Sequence, residues 1–280
     1  MQAEALWPRA RLDADYTPRD CVSQPEFARI IADYAAQSAP ARLMPGARLD
    51  LIYDDRSGER LDLFGTVPGE RRPVLLFLHG GYWRALSKGH SAFMAPMLAA
   101  RGIATAVPDH TLAPKAGLTE ITRQMRAALA HLWHDADALG LDRERIVVAG
   151  SSAGGHLAGT LMMTGWQGAL GLPAQPLRGA MPVSGLFELA PIAASHVQDW
   201  MALTAEEVAT LGLLRQPTGA PPAHIVMAER ETPGFHRQSR ACAQVLGAPL
   251  LTVPGRNHFD VILDLCDADT ELSRALLRLF

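Results

Sequence analysis

Two stretches near residue 50, RLDLIY and RLDLF, alternate polar and apolar side chains. That two-residue period belongs to strands with one wet face, so both are expected at a sheet edge. The next runs lose the alternation. Residues 74–78, VLLFL, are apolar throughout, as a central strand covered by helices on both faces must be. Residues 103–107, 146–149, 180–183, 224–228 and 250–253 repeat the pattern. Between them lie stretches of helical period. In TEITRQMRAALAHLWHDADALG, Ile121, Met125, Leu129, Leu132 and Trp133 recur at three- and four-residue steps and a glycine closes the end. PEFARIIADYAAQSA and FHRQSRACAQVLG read as further helices. Strand and helix in alternation predict an α/β protein whose central sheet is mostly parallel, doubly wound, with helices on both faces. Residues 1–280 are expected to form one domain, with the Pro- and Ala-rich segment 1–45 packing over one end of the sheet as a partial cap.

Composition narrows the function classes. The chain has 280 residues, 48% hydrophobic and 20% charged, enough for one substantial core. A formal net charge of −3 with no Lys/Arg cluster argues against a nucleic-acid partner. The N-terminus carries acids and prolines where a signal peptide needs a basic start and an apolar core, and no apolar run approaches bilayer length, so no membrane role is expected. Cys21, Cys242 and Cys266 are odd in number and widely spaced. They suit reduced thiols in a cytoplasm and imply neither a disulfide framework nor a metal site.

The chemistry gathers around GSSAGG, residues 150–155, placed between the strand RIVVA and a helical stretch. Ligands bind beyond the carboxyl ends of parallel strands. Gly150-Ser151-Ser152-Ala153-Gly154 fits GxSxG, a sharp strand-to-helix turn that exposes Ser152 at its tip as a nucleophile. The competing reading makes Ser151 or Ser152 a helix N-cap. A phosphate loop is excluded, because no GK[ST] follows.

A second glycine turn, His79-Gly80-Gly81, ends the strand at 74–78 and lets bare backbone approach a substrate. The oxyanion donors are assigned to the N–H groups of Ala153, Gly81 and Tyr82. His79 is expected to anchor that loop. In the chain order serine, acid, histidine, His258 in VPGRNHFDVI is the best-placed base. ERETPGF offers Glu231 and Glu229 as the acid, with Glu231 favoured for its place beyond the strand; otherwise both would be loop carboxylates paired with Arg230 or Arg237. His131 and His134 read as a solvated helix face. Tyr82, Trp83 and Phe187 are candidate substrate-binding aromatics, though Trp83 could equally pack beneath the loop.

RLDLF, HGGYWRALSKGHSAFMAPMLAARG, GSSAGGHLA, VSGLFELAPI, PGFHRQS and NHFDVI, in this order, resemble the kynurenine formamidase (arylformamidase) family of α/β-hydrolases. The general esterases of that fold usually carry a third glycine where this chain has Tyr82. The resemblance implies a triad of Ser152, Glu231 and His258. Members commonly have aspartate, and a second carboxylate three residues on, where this chain has Glu231 and Gly234. It further implies hydrolysis of an aryl formamide or related aryl amide through an acyl-enzyme. No metal or organic cofactor is required, and a small aromatic amide or ester is the expected partner, with a homodimer left open. A carboxylesterase on small acyl esters would use the same residues, and a hydrolase-fold binding protein with an idle triad is the third reading.

Overall fold

The computed structural model describes residues 2–215 and 219–280. Eight strands form one sheet: β1 Arg48–Asp54, β2 Glu59–Phe64, β3 Arg72–Leu78, β4 Ala104–Pro108, β5 Leu141–Ser151, β6 Gly179–Val183, β7 Ile225–Arg230 and β8 Leu250–Asn257. Their order is β1-β2-β4-β3-β5-β6-β7-β8. β2 runs antiparallel to both its neighbours, and every pairing from β4 to β8 is parallel.

Strand β3 shows why its run is apolar throughout. Val74, Leu76 and Leu78 join one core with the Leu118–His134 and Ala153–Met162 helices, while Leu75 and Phe77 join a second core on the opposite face with Leu98, Leu272 and Leu276. Each such fully buried side chain contributes about 1.5–3 kcal/mol. The Leu118–His134 helix stops before Asp135, and the chain turns through left-handed Gly140 into β5.

One expectation fails at the sheet margin. RLDLF is not an edge strand: β2 lies between β1 and β4, and its last four residues are all buried. The polar position that suggested a wet face is Asp62, 1% exposed. It accepts from Arg42 Nη1 at 2.6 Å, Lys88 Nζ at 2.9 Å and the Asp50 N–H at 2.9 Å. A charge so partnered can be buried where a lone one could not.

Register at the carboxyl edge sets up the site. Leu78 pairs with Gly150, Ser151 with Val183, Val183 with Val226, and Arg230 with Asn257. The first residues after β3, β5, β6, β7 and β8 are therefore His79, Ser152, Ser184, Glu231 and His258, side by side along one edge.

The N-terminal segment lies over this edge. Its longest element, the Gln24–Arg42 helix, begins at Ser23, whose side chain accepts the Glu26 N–H. Tyr34 Oη donates to the Phe259 carbonyl at 2.5 Å. Residues 15–16 dock beside the β7 loop, where Thr232 Oγ1 donates to the Asp15 carbonyl at 2.6 Å and Tyr82 Oη donates to the Tyr16 carbonyl at 2.6 Å.

Candidate active site

The turn after β5 is as tight as GxSxG requires. A Cβ on Gly150 would stand 2.3 Å from the Gly154 carbonyl oxygen, and one on Gly154 would stand 2.0 Å from that of Leu78. Only bare backbone permits this approach. Ser152 is held at φ 59° and ψ −118°, a region that costs a non-glycine residue roughly 1–3 kcal/mol. It is fixed there because its N–H donates to the Val183 carbonyl at 2.9 Å and its own carbonyl accepts from His156 at 3.0 Å. Its hydroxyl does not cap the following helix, so the N-cap alternative for Ser152 is not realised.

Glu231 and His258 stand together because their strands pair up to Arg230 and Asn257. His258 Nδ1–H donates to Glu231 Oε1 at 3.2 Å, with the imidazole 2% exposed. This bond leaves Nε2 as the acceptor end of the ring. The same carboxylate oxygen accepts from the Ser184 hydroxyl. Phe235 lies against the imidazole at a centroid distance of 4.3 Å. Glu229 is elsewhere: it is exposed and accepts from the Gly255 N–H at 2.6 Å. Arg237 pairs with Glu4 and Asp15 rather than with either loop glutamate.

Ser152 and His258 line one cavity of about 270 Å³ together with Gly80, Gly81 and Tyr82 of the loop after β3. That loop is pressed onto the serine turn, since a Cβ on Gly80 would stand 2.9 Å from the Ser151 carbonyl oxygen. Gly81 takes φ 96° and its Cβ position would meet the Ala85 carbonyl oxygen at 2.3 Å, so glycine is demanded twice over. His79 also lines the cavity, with Nδ1–H donating to the Gly80 carbonyl at 2.9 Å. Burial pushes its imidazole below the ordinary range, which suits a neutral anchor of the loop.

Two of the three candidate substrate-binding aromatics are misplaced by sequence reasoning. Trp83 is fully buried and packs edge-on against His156 at 5.2 Å, because left-handed φ values of 48° and 58° at Tyr82 and Trp83 turn successive side chains apart. Phe187 is likewise fully buried, against the Gly159 and Gly185 backbones. Neither lines the cavity, whereas Tyr82 does. The walls come instead from Phe27, Ile31 and Tyr34 of the Gln24–Arg42 helix and from Phe77, Phe93 and Phe259.

Ser184, the second donor to Glu231, is a residue that sequence reasoning passed over. The signal available was Ser-Gly at the end of β6, and Ser184 takes φ 49°. Nearby Cys21 is no competing nucleophile: burial, with the Glu231 charge as a smaller cause, pushes its thiol up to about 11. His131 and His134 hold no common ligand; His131 pairs with Asp135 at 2.8 Å and His134 bonds the Leu170 carbonyl at 2.8 Å.

A sheet of this order, with a strained serine after β5 and an acid–histidine pair after β7 and β8, is the frame of one fold family, and solved relatives share it. The backbone superposes on a structure from Silicibacter sp. tm1040, described as a candidate thioesterase, with TM-score 0.83 at 26% identity, covering 95% of this chain and 98% of that one. The chain has the α/β-hydrolase fold. Residues 61–172 of the chain match the BD-FAE family model. Kynurenine formamidase of Salmo salar is 29% identical over 85% of this chain and 84% of its own length, and that of Drosophila melanogaster 24% over 96% and 97%. Among the described residues, no helix is long and apolar enough to cross a membrane.

Proposed function

We propose that the protein is a serine hydrolase cleaving an aryl formamide or a related aryl amide through an acyl-enzyme. The observation that carries this reading is the Glu231–His258 pair set beside a serine held at positive φ in the same cavity. His258 Nε2 takes the Ser152 proton as the hydroxyl attacks the formyl or acyl carbon, and Glu231 fixes the ring in the tautomer that can do so. Negative charge building on the carbonyl oxygen falls to the N–H groups of Ala153, Gly81 and Tyr82, each such donor being worth roughly a hundred- to thousandfold in rate. The imidazolium then protonates the departing aryl amine, and water attacking with His258 as base releases formate or the carboxylic acid. Similarity to the kynurenine formamidases favours the formamide over other amides. The apolar walls favour, as a second reading, a small carboxylic ester cleaved by the same groups.

The test is Ser152→Ala, assayed on formanilide and phenyl acetate. Turnover should fall by about four to six orders of magnitude with the fold unchanged by circular dichroism. A serine-directed organophosphonate should label the native protein at Ser152 and leave the variant unlabelled. Hydrolysis retained by a folded variant would refute the assignment.

A further inference from the structure

We propose, building on the serine-hydrolase reading, that the site selects uncharged substrates and rejects those bearing a carboxylate on the leaving group. Among the described residues, seventeen line the cavity, and none is a lysine, arginine, aspartate or glutamate. Apart from the serine turn and His258, four of its polar side chains are engaged, and the end among them left without a partner, His79 Nε2, is an acceptor when Nδ1 carries the proton. Tyr34 Oη is bonded to the Phe259 carbonyl and Tyr82 Oη to that of Tyr16, while Ser91 Oγ donates to the Ser87 carbonyl at 3.1 Å. His79 spends its Nδ1–H on Gly80.

Beyond these, the serine turn, His258 and the two glycines, the wall is aromatic and aliphatic and suits a neutral ring. A carboxylate entering there would shed its water and find no cation, the costliest exchange a small polar group can make. Two charged side chains adjoin the lining residue Phe27, one of each sign. Arg19 stacks on Phe27 at 4.1 Å, but its Nη1 and Nη2 donate to the Val22 carbonyl and to Gln24 Oε1. Glu26, adjacent to Phe27 in sequence, places a carboxylate on the same helix, where it accepts from Asn257 Nδ2 at 3.2 Å. A second anion arriving beside it is repelled.

The test compares 3-formamidobenzamide with 3-formamidobenzoate at neutral pH. The pair shares ring, scissile bond and size, and differs in charge. Aniline products are followed by chromatography, with N-formylkynurenine as a zwitterionic third substrate and formanilide as the unsubstituted reference. The benzamide should exceed the benzoate by about a hundredfold in kcat/KM, and formanilide should exceed N-formylkynurenine by a similar factor. Arg19→Gln should change either ratio by less than about twofold. A benzoate cleaved within about threefold of the benzamide, or a loss confined to the charged substrates in Arg19→Gln, overturns the proposal. Should only esters turn over, 3-acetoxybenzamide against 3-acetoxybenzoate makes the same comparison. Failure of every amide and ester, phenyl acetate included, would instead remove the serine-hydrolase reading itself.

Discussion

Gly154→Ala isolates the close approach on which the proposed chemistry depends. The added Cβ would stand 2.0 Å from the Leu78 carbonyl oxygen and 2.6 Å from that of His79, where ordinary contact begins at 3.4 Å. Both opposing atoms are backbone, so no side chain can swing aside. The start of the Ala153–Met162 helix and the end of β3 must therefore part by more than an ångström. These two segments carry Ser152 and the His79-Gly80-Gly81 turn, so the proposed nucleophile moves relative to the proposed oxyanion donors. A misplacement of about 1 Å can lower turnover about a hundredfold, and overpacking of this kind removes about 1–3 kcal/mol of stability. We expect kcat/KM on phenyl acetate to fall at least a hundredfold, roughly, while Tm drops by about 2–12 °C. Organophosphonate titration counts the sites that still react, separating slow sites from unfolded ones. Gly168→Ala is the matched control, since nothing lies within 4 Å of its Cβ position, and it should leave stability within about 0.5 kcal/mol. Gly154→Ala with kcat/KM within about threefold of wild type and an unchanged Tm would refute the reasoning.

Asp62→Asn should destabilise the fold without touching the chemistry. It strips the charge that Arg42 and Lys88 share beneath β1 and β2, and because Lys88 keeps Asp50 at 2.7 Å the loss should sit near the lower end for a broken buried pair, about 3 kcal/mol, seen as a Tm lower by about 6–12 °C. A change under about 2 °C would show that the network is already dispensable. Asp54 supplies an acid-sensitive term. Hydrogen bonds from Arg123 first, and from Ser57, hold its carboxyl down at about 2 against an ordinary 3.8. A folded value below the unfolded one stabilises the protein above pH 3.8, and that contribution is lost as pH falls towards 2. The gap in urea midpoint between wild type and Asp54→Asn should thus be fully open above about pH 4 and close on acidification. A gap constant from pH 5 downward would contradict this.

What could be read from the chain follows its local physics. All eight strands were legible: β3, β4, β6, β7 and the end of β5 carry the apolar run that burial on both faces requires, β1 and β2 show two-residue alternation, and residues 250–253 gave away β8 although it lies at the sheet edge with most of its residues exposed or half-buried. The serine turn and the His79-Gly80-Gly81 turn were legible because glycine is forced wherever backbone meets backbone, as the Gly150 and Gly154 positions show. Asp62 misled because period-two alternation reports polarity, and a carboxylate with three donors satisfies burial as well as exposure does. Trp83 misled for a different reason: two consecutive left-handed residues break the alternation by which neighbours in sequence would share a wall. The cavity walls at Phe27, Ile31 and Tyr34 lie more than a hundred residues before Ser152. Nothing local ties them to it, and only the docking of the N-terminal helix does.

That docking also explains an oddity of the acid loop. In the resemblance to formamidases, Gly234 stands where a carboxylate is common, three residues beyond the proposed acid Glu231. Here a Cβ at 234 would stand 2.5 Å from the Asp15 carbonyl oxygen and 2.7 Å from the Tyr16 ring. The glycine makes room for the strap formed by residues 15–16. That strap accepts hydrogen bonds from Thr232 on the loop after β7 and from Tyr82 on the loop after β3. Tyr16 Oη in turn accepts from Gln238, whose own oxygen holds the Phe187 and Glu188 N–H groups that follow Ser184. Three loops that leave different strands are thus tied to one turn of chain. Such ties restrict the freedom each loop would have alone, which is the condition under which the proposed donors and base would act without reorganising during the reaction. A side chain at 234 would collide with this strap, so the glycine permits the N-terminal segment to seat here, and with it the helix whose Phe27, Ile31 and Tyr34 line the cavity.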